Sequence, residues 1–257
     1  MKTNKITLSL AVLILGGTTM LFSCKEDPNT IEESTTVQNS LEEQEVVTHV
    51  MTKEDQEKLT PQMVIDDLKA GNERFINQRA TNRDHSEQVR KTKTGQYPKA
   101  IILSCVDSRV PVEDVFDQGI GDIFVGRVAG NFVNTDQLGS MEFATKIAGA
   151  KLVVIMGHEN CGAVKGAIDK AELGNLTSLL QKIQPAVAAV EEPTEASQRT
   201  SKNAVFVDAV IEKNILLNLE ETLVQSPVLA EMVENGEIKI VGANYDLSTG
   251  KVVFLNE

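Results

Sequence analysis

The run Lys151-Leu-Val-Val-Ile-Met156 leads directly into Gly157-His158-Glu159-Asn160-Cys161-Gly162. An apolar run of this length, closed by glycine, reads as a strand buried on both faces, as strands of parallel sheets are. An upstream run is built the same way: Ala100-Ile-Ile-Leu-Ser104, then Cys105-Val-Asp107-Ser-Arg109. Asp122-Ile-Phe-Val-Gly-Arg-Val128 and Glu237-Ile-Lys-Ile-Val241 supply two more β-rich runs. Helical periodicity fills the intervals over 137–148, 163–173, 176–190 and 203–224, and Pro185 should break or kink the third. Strands alternating with helices predict an α/β fold, a mostly parallel four-stranded sheet flanked by helices with right-handed crossovers. After the turn cluster Tyr245-Asp-Leu-Ser-Thr-Gly250, Lys251-Val-Val-Phe-Leu255 predicts an antiparallel C-terminal edge strand.

Upstream of the sheet the character of the chain changes. Thr60-Pro61 reads as an N-cap followed by proline in the first helical turn, with Val64, Leu68 and Phe75 on one face and Gly71 weakening the helix. Before it, residues 25–59 carry ten acids against three lysines and read as a flexible, solvated spacer with a short helix near its end. Lys2 and Lys5 precede an uncharged apolar run from Ile6 to Phe22, the pattern of an export signal. That run ends Leu21-Phe22-Ser23-Cys24, which resembles a bacterial lipobox and marks Cys24 for lipidation. The expected organisation is therefore a lipoprotein-type signal peptide over 1–23, an acidic tether over 24–59 and a folded domain over 60–257. The expected location is exported and membrane-anchored through a lipid on Cys24, on the periplasmic side or the outer-membrane surface.

Composition excludes several function classes. The 257 residues carry a formal charge of −12, so a phosphate backbone has no basic face to bind and nucleic acid is not expected as a partner. With no Trp and 4% aromatic residues, there is no stacking platform for single strands. Three cysteines are too few for a disulfide-stapled scaffold.

The chemistry-bearing residues collect at two strand ends. Cys105 follows the first predicted strand, and His158 and Cys161 follow the third. Ligands of open α/β sheets gather outside the carboxyl ends of the strands, most of all where the strand order reverses. Two thiolates and an imidazole suit Zn²⁺, and His-x-x-Cys spacing lets both side chains meet one ion where a strand turns into a helix. From the residues alone, a metal site, a redox dithiol and inert thiols all remain open.

Taken together, Cys105-x-Asp107-Ser108-Arg109 and His158-x-x-Cys161-Gly162-Ala163 resemble the zinc signature of the β-class carbonic anhydrases. The resemblance runs from about Thr60 to Phe254 and includes Arg109-Val-Pro-Val, Phe116-Asp-Gln118-Gly, Arg127-Val-Ala-Gly-Asn131, Gly139-Ser-Met-Glu142 and Tyr245-Asp-x-x-Thr-Gly250. It implies zinc-dependent, reversible hydration of CO2 to bicarbonate and a proton, through attack of a zinc-bound hydroxide. It implies Cys105, His158 and Cys161 as zinc ligands, Asp107 as acceptor of a hydrogen bond from the metal-bound water, and Arg109 as the holder of that carboxylate. Gln118 and Gly130 are the implied substrate contacts, and a homodimer or higher homo-oligomer is the implied assembly. Some relatives close the site by moving the aspartate onto the metal, a form linked to a bicarbonate pocket that contains Trp; this chain has none. His49 falls in the tether and His85 in a polar stretch, and neither is expected to be a ligand. Three other readings stand beside this one: a sister hydrolase acting on CS2 or COS, a non-catalytic zinc protein, and a thiol oxidoreductase. The intact Asp107 and Arg109 disfavour the second, and the lack of any Cys-x-x-Cys disfavours the third.

Overall fold

The computed structural model describes residues 45–256. The expected signal peptide, Cys24 and most of the expected tether lie outside the described residues. Three helices come first: α1 (Lys53–Glu57), α2 (Pro61–Ile76) and α3 (His85–Thr92). Then follow β1 (Ala100–Ser104), α4 (Val112–Val115), β2 (Ile123–Arg127), α5 (Thr135–Glu142) continued by one π-helical turn, and β3 (Leu152–His158). The remainder is α6 (Gly162–Ile168), α7 (Gly174–Leu180), α8 (Gln184–Ala189), α9 (Ala204–Gln225), α10 (Pro227–Glu234), β4 (Lys239–Tyr245) and β5 (Val252–Leu255).

The strands form one sheet in the order β2-β1-β3-β4-β5, parallel except for the antiparallel pair β4–β5. From β1 the chain crosses to β2 on one side, then returns past β1 to β3 on the other. The strand order therefore reverses between β1 and β3, and loops leaving their carboxyl ends diverge to open a crevice. The period of two along each strand separates two apolar layers. Ile101, Leu103, Val153 and Ile155 face α9 through Val207, Val210, Ile211 and Ile215. Ile102, Val154 and Met156 face α2 through Val64, Ile65 and Leu68.

Local signals account for most helix starts. The Thr60 side chain accepts from the Met63 N–H ahead of Pro61, as its sequence predicts. Ser226 caps α10, a helix not expected from the sequence, in the same way, and Ser226-Pro227 carries the same signature as Thr60-Pro61. Pro185 sits in the first turn of α8, so the predicted helix over 176–190 is two short helices. Gly71 is required where it stands: α2 crosses so close to the Phe116 carbonyl that a Cβ would collide with it.

Two expectations need correction. β3 runs two residues beyond its apolar run and β4 four beyond its own, because Gly157 and His158 stay paired with Asn244 and Tyr245. His158 thus ends the strand rather than following it. The folded region also begins well before Thr60. Val47 donates to the Asn82 carbonyl at 2.8 Å and accepts from the Asp84 N–H at 3.0 Å. Buried Gln56 donates to the carbonyls of Pro98 at 2.7 Å and Ala148 at 2.8 Å. Composition marked these residues as solvated, but their backbone hydrogen bonds and one buried amide fasten them to the domain. The His49 ring stays exposed, as expected, while its carbonyl accepts from Gln88.

Asp117 anchors the N-terminal helices to the sheet. Its side chain, 2% exposed, takes hydrogen bonds from Arg74, Arg83 and the Thr81 hydroxyl and N–H. Burial pushes the Asp117 carboxyl up, but Arg83, Arg74 and Thr81 outweigh it and hold it at about 2 against an ordinary 3.8. A carboxyl depressed in the folded state contributes stability above its unfolded pKa, and loses it as pH falls through the folded value. Asp117→Asn should cost about 3 kcal/mol at pH 7, because it leaves the Arg83 charge buried without its partner. In urea titrations the gap between parent and variant should narrow as pH drops from about 4 towards 2. A constant gap across that window contradicts the assignment.

Candidate metal centre

Three side chains from separate parts of the chain meet in the crevice between β1 and β3. Cys105 comes directly after β1, His158 ends β3, and Cys161 precedes the first turn of α6. All three are buried, at 4%, 0% and 1% exposure, and their donor atoms all lie within 4.8 Å of one another. The two sulfurs are 4.0 Å apart. Sulfurs sharing a tetrahedral ion at about 2.3 Å would stand about 3.8 Å apart, so the spacing fits an ion of that size.

The histidine is oriented for ligation. Its Nδ1 lies 2.8 Å from the Glu159 carbonyl, which can only accept, so the proton sits on Nδ1. This leaves the Nε2 lone pair facing the sulfurs, and Nε2 is a buried nitrogen without a hydrogen-bond partner. A buried, unpartnered acceptor beside two thiols is costly in a site of purely structural purpose. Two thiols and a neutral imidazole form a soft donor set that suits zinc among divalent ions. Between the thiols, the hydrogen bond from Cys161, with help from the Gly130 N–H, favours the thiolate at Cys105 and pushes the Cys161 thiol up.

Asp107 faces the same point but belongs to a different pair. Arg109 holds its carboxylate through Nε at 2.9 Å and Nη2 at 2.8 Å, and its backbone N–H adds a third bond at 3.0 Å. These bonds hold the Asp107 carboxyl well below the usual carboxylate range, so it is acceptor-only at neutral pH. Oδ2 stands 3.8 Å from His158 Nε2, yet the carboxylate is outside the three-donor cluster and turned to Arg109.

Two further residues shape the site. The Arg127 guanidinium donates to the carbonyls of Cys105 at 3.1 Å, Asp107 at 3.4 Å and also Val110, and so clamps the loop that presents both groups. Gly130, at φ +80°, donates its N–H to Cys105 Sγ at 3.4 Å, and a Cβ there would run into Ile183. Gly130 thus reaches the centre through the sulfur.

Gln118 does not join the site within this chain. Its Nε2 donates to the Phe116 carbonyl at 2.7 Å and reaches Asp67, which also pairs with Lys99 just ahead of β1. It therefore lies towards the amino end of the sheet, in the loop that leads into β2. The motif follows Cys105 along the chain, but the crossover through α4 returns the chain to the amino end of the sheet, where β2 begins. His85 begins α3 on the surface, outside the cluster. The motif Arg127-Val-Ala-Gly-Asn131 carries no sign of the Arg127 clamp, and sequence alone does not single out Asn214, a buried amide on α9 bonded to Gly130.

The sequence matches the family model described as Carbonic anhydrase over residues 100–252. Carbonic anhydrase 2 of Mycobacterium tuberculosis is 34% identical over 187 residues, covering 72% of this chain and 88% of that protein. Among solved structures, the β-carbonic anhydrase CcaA superposes with a TM-score of 0.59 at 23% identity, over 75% of this chain and 93% of that one. One of two tetrameric β-carbonic anhydrases from Sordaria macrospora gives 0.57 at 20% identity, over 76% and 95%. At those identities the structures speak for the fold, and the sequence matches speak for kinship.

Proposed function

We propose, because this chain belongs to the carbonic anhydrase family, that it hydrates CO2 reversibly with zinc held by Cys105, His158 and Cys161. The observation that carries the zinc reading is the unpartnered Nε2 of buried His158, aimed at two sulfurs 4.0 Å apart. Zinc, when bound there, supplies the Lewis acidity that makes water a competent nucleophile near neutral pH.

The chain's own groups do the rest. Glu159 fixes the His158 ring through its carbonyl, so the imidazole offers Nε2 without searching rotamers. Asp107, kept ionised and immobile by Arg109, accepts a hydrogen bond from the attacking water. That bond points the water's remaining lone pair at the carbon of CO2. A carboxylate free to turn about its two side-chain torsions would spend much of its time elsewhere, and the two-point clamp from Arg109 restricts that freedom. The proton released in each turnover leaves to solvent buffer, and bicarbonate departs as an anion.

A second copy of the chain is the proposed partner. β2 is an edge strand, and beside it Phe124, Gly126, Gln137, Gly139 and Phe143 line a cavity of about 640 Å³. Phe143 and Ile147 are 53% and 72% exposed, a cost to a lone protomer that a partner copy removes. The similar Sordaria macrospora enzyme is tetrameric. Sedimentation equilibrium should give a dimer or a multiple of it, dissociated by Phe143→Lys; a monomer at every concentration contradicts this reading.

Export and lipidation of Cys24 are proposed from the leader sequence, with the enzyme tethered on the periplasmic side or the outer-membrane surface. Among the described residues no helix is long and apolar enough to cross a membrane. Mass spectrometry of the membrane fraction should find acylated Cys24 as the new N-terminus; an unprocessed Met1 terminus contradicts it.

The catalytic reading is tested by stopped-flow CO2 hydration and metal analysis of the purified full chain. The parent should hold one zinc per chain, and Cys161→Ser should lose both metal and hydration. Asp107→Asn should keep its zinc while kcat falls about 10²-fold, the usual loss for a positioned proton acceptor. If Cys161→Ser hydrates CO2 as fast as the parent, the assignment is wrong.

A further inference from the structure

The apolar face of α9 is interrupted by a polar ladder one turn apart: Asn214, Asn218 and Thr222, exposed by 2%, 7% and 0%. Buried amides in a helix are retained at a cost unless every group finds a partner. Here the partners lie in the loop that touches the metal centre. Asn214 Nδ2 donates to the Gly130 carbonyl at 2.9 Å, and Asn218 Oδ1 accepts from the Val133 N–H at 2.7 Å. Asn218 Nδ2 also donates to Asn214, to its carbonyl at 2.7 Å and to its Oδ1 at 3.2 Å. With its oxygen held by Asn218, Asn214 can present only its NH₂ to Gly130. The two amides thus pin both ends of the turn 130–133.

That turn delivers one group to the site, the Gly130 N–H on Cys105 Sγ at 3.4 Å. An N–H on a thiolate draws electron density from the sulfur and weakens its donation to a bound ion, leaving the ion more acidic. Gly130 is held on three sides. Its φ of +80° sets the peptide, Ile183 blocks movement outward, and Asn214 fixes the carbonyl.

We propose that Asn214, oriented by Asn218, is a positioning residue that keeps the Gly130 N–H on the Cys105 sulfur and so tunes the donor strength of that ligand. The inference rests on the reading of Cys105, His158 and Cys161 as metal ligands. Thr222 provides the contrast. Its hydroxyl donates to the Asn218 carbonyl at 2.6 Å, a bond of the helix alone that touches nothing in the loop.

The test uses the full chain with Co²⁺ in place of zinc, reading the sulfur-to-cobalt charge-transfer band and the melting temperature. Asn214→Leu, nearly isosteric, should move the band to longer wavelength, because a sulfur that has lost its N–H donor gives up an electron more easily. Asn218→Leu should move it the same way by a smaller amount. Thr222→Val should lower the melting temperature without moving the band. If Asn214→Leu does not fold, Asn214→Ser, too short to reach Gly130, carries the same expectation. A band unmoved in folded Asn214 variants, or moved equally by Thr222→Val, overturns the proposal while leaving the metal assignment standing. A parent protein with no sulfur-to-cobalt band overturns the metal assignment and this inference with it.

Discussion

The convergence of two sulfurs and one imidazole nitrogen within 4.8 Å, buried in the crevice, is the constraint that the rest of this structure serves. Three such groups in a low-dielectric interior repel, compete for protons and leave acceptors unpartnered unless an ion joins them. The fold holds them there by topology. β1 and β3 are hydrogen-bonded neighbours whose loops leave in opposite directions, so Cys105 and His158 face each other with no long loop to order. The apolar layers on both faces of the sheet make those strand ends rigid, and rigidity at the strands becomes precision at the ligands.

Around that point, His158, Cys105 and the neighbouring Asp107 are each aimed by a group that does no chemistry of its own. The Glu159 carbonyl sets the histidine, Arg109 sets Asp107, Arg127 clamps the loop between Cys105 and Val110, and Gly130 caps the Cys105 sulfur. The pattern divides the labour by charge. Arg109 holds the Asp107 oxygens and the Gly130 N–H meets the Cys105 sulfur, so the carboxylate stays ionised and the thiolate is favoured at Cys105. An uncharged substrate such as CO2 offers little to bind, and a site for it gains most from orienting the nucleophile.

Much of this was legible in the sequence because it depends on local pattern. Continuous apolar runs gave β1 and β3 with their buried faces, and the motifs after them gave the three donors and the Asp107–Arg109 pair. What was not legible depends on contacts distant along the chain. Composition described residues 45–59 as solvated, yet Gln56 is buried by partners 42 and 92 residues away. Gly71 looked like a weak point in α2 and is a contact surface for Phe116. Gln118 lies in a matching motif and is held to Phe116 and Asp67 in the loop that leads into β2, apart from the three donors of its own chain. Asn214 and Asn218 did leave a trace, two amides four residues apart on an otherwise apolar helix face, and that spacing is a usable signal for a buried polar ladder.

X-ray absorption at the zinc edge of the metal-loaded full chain tests the central claim most directly. The account predicts two sulfur scatterers at about 2.3 Å together with nitrogen or oxygen neighbours at about 2.0–2.1 Å. A shell of nitrogen and oxygen alone, or a single sulfur, contradicts it.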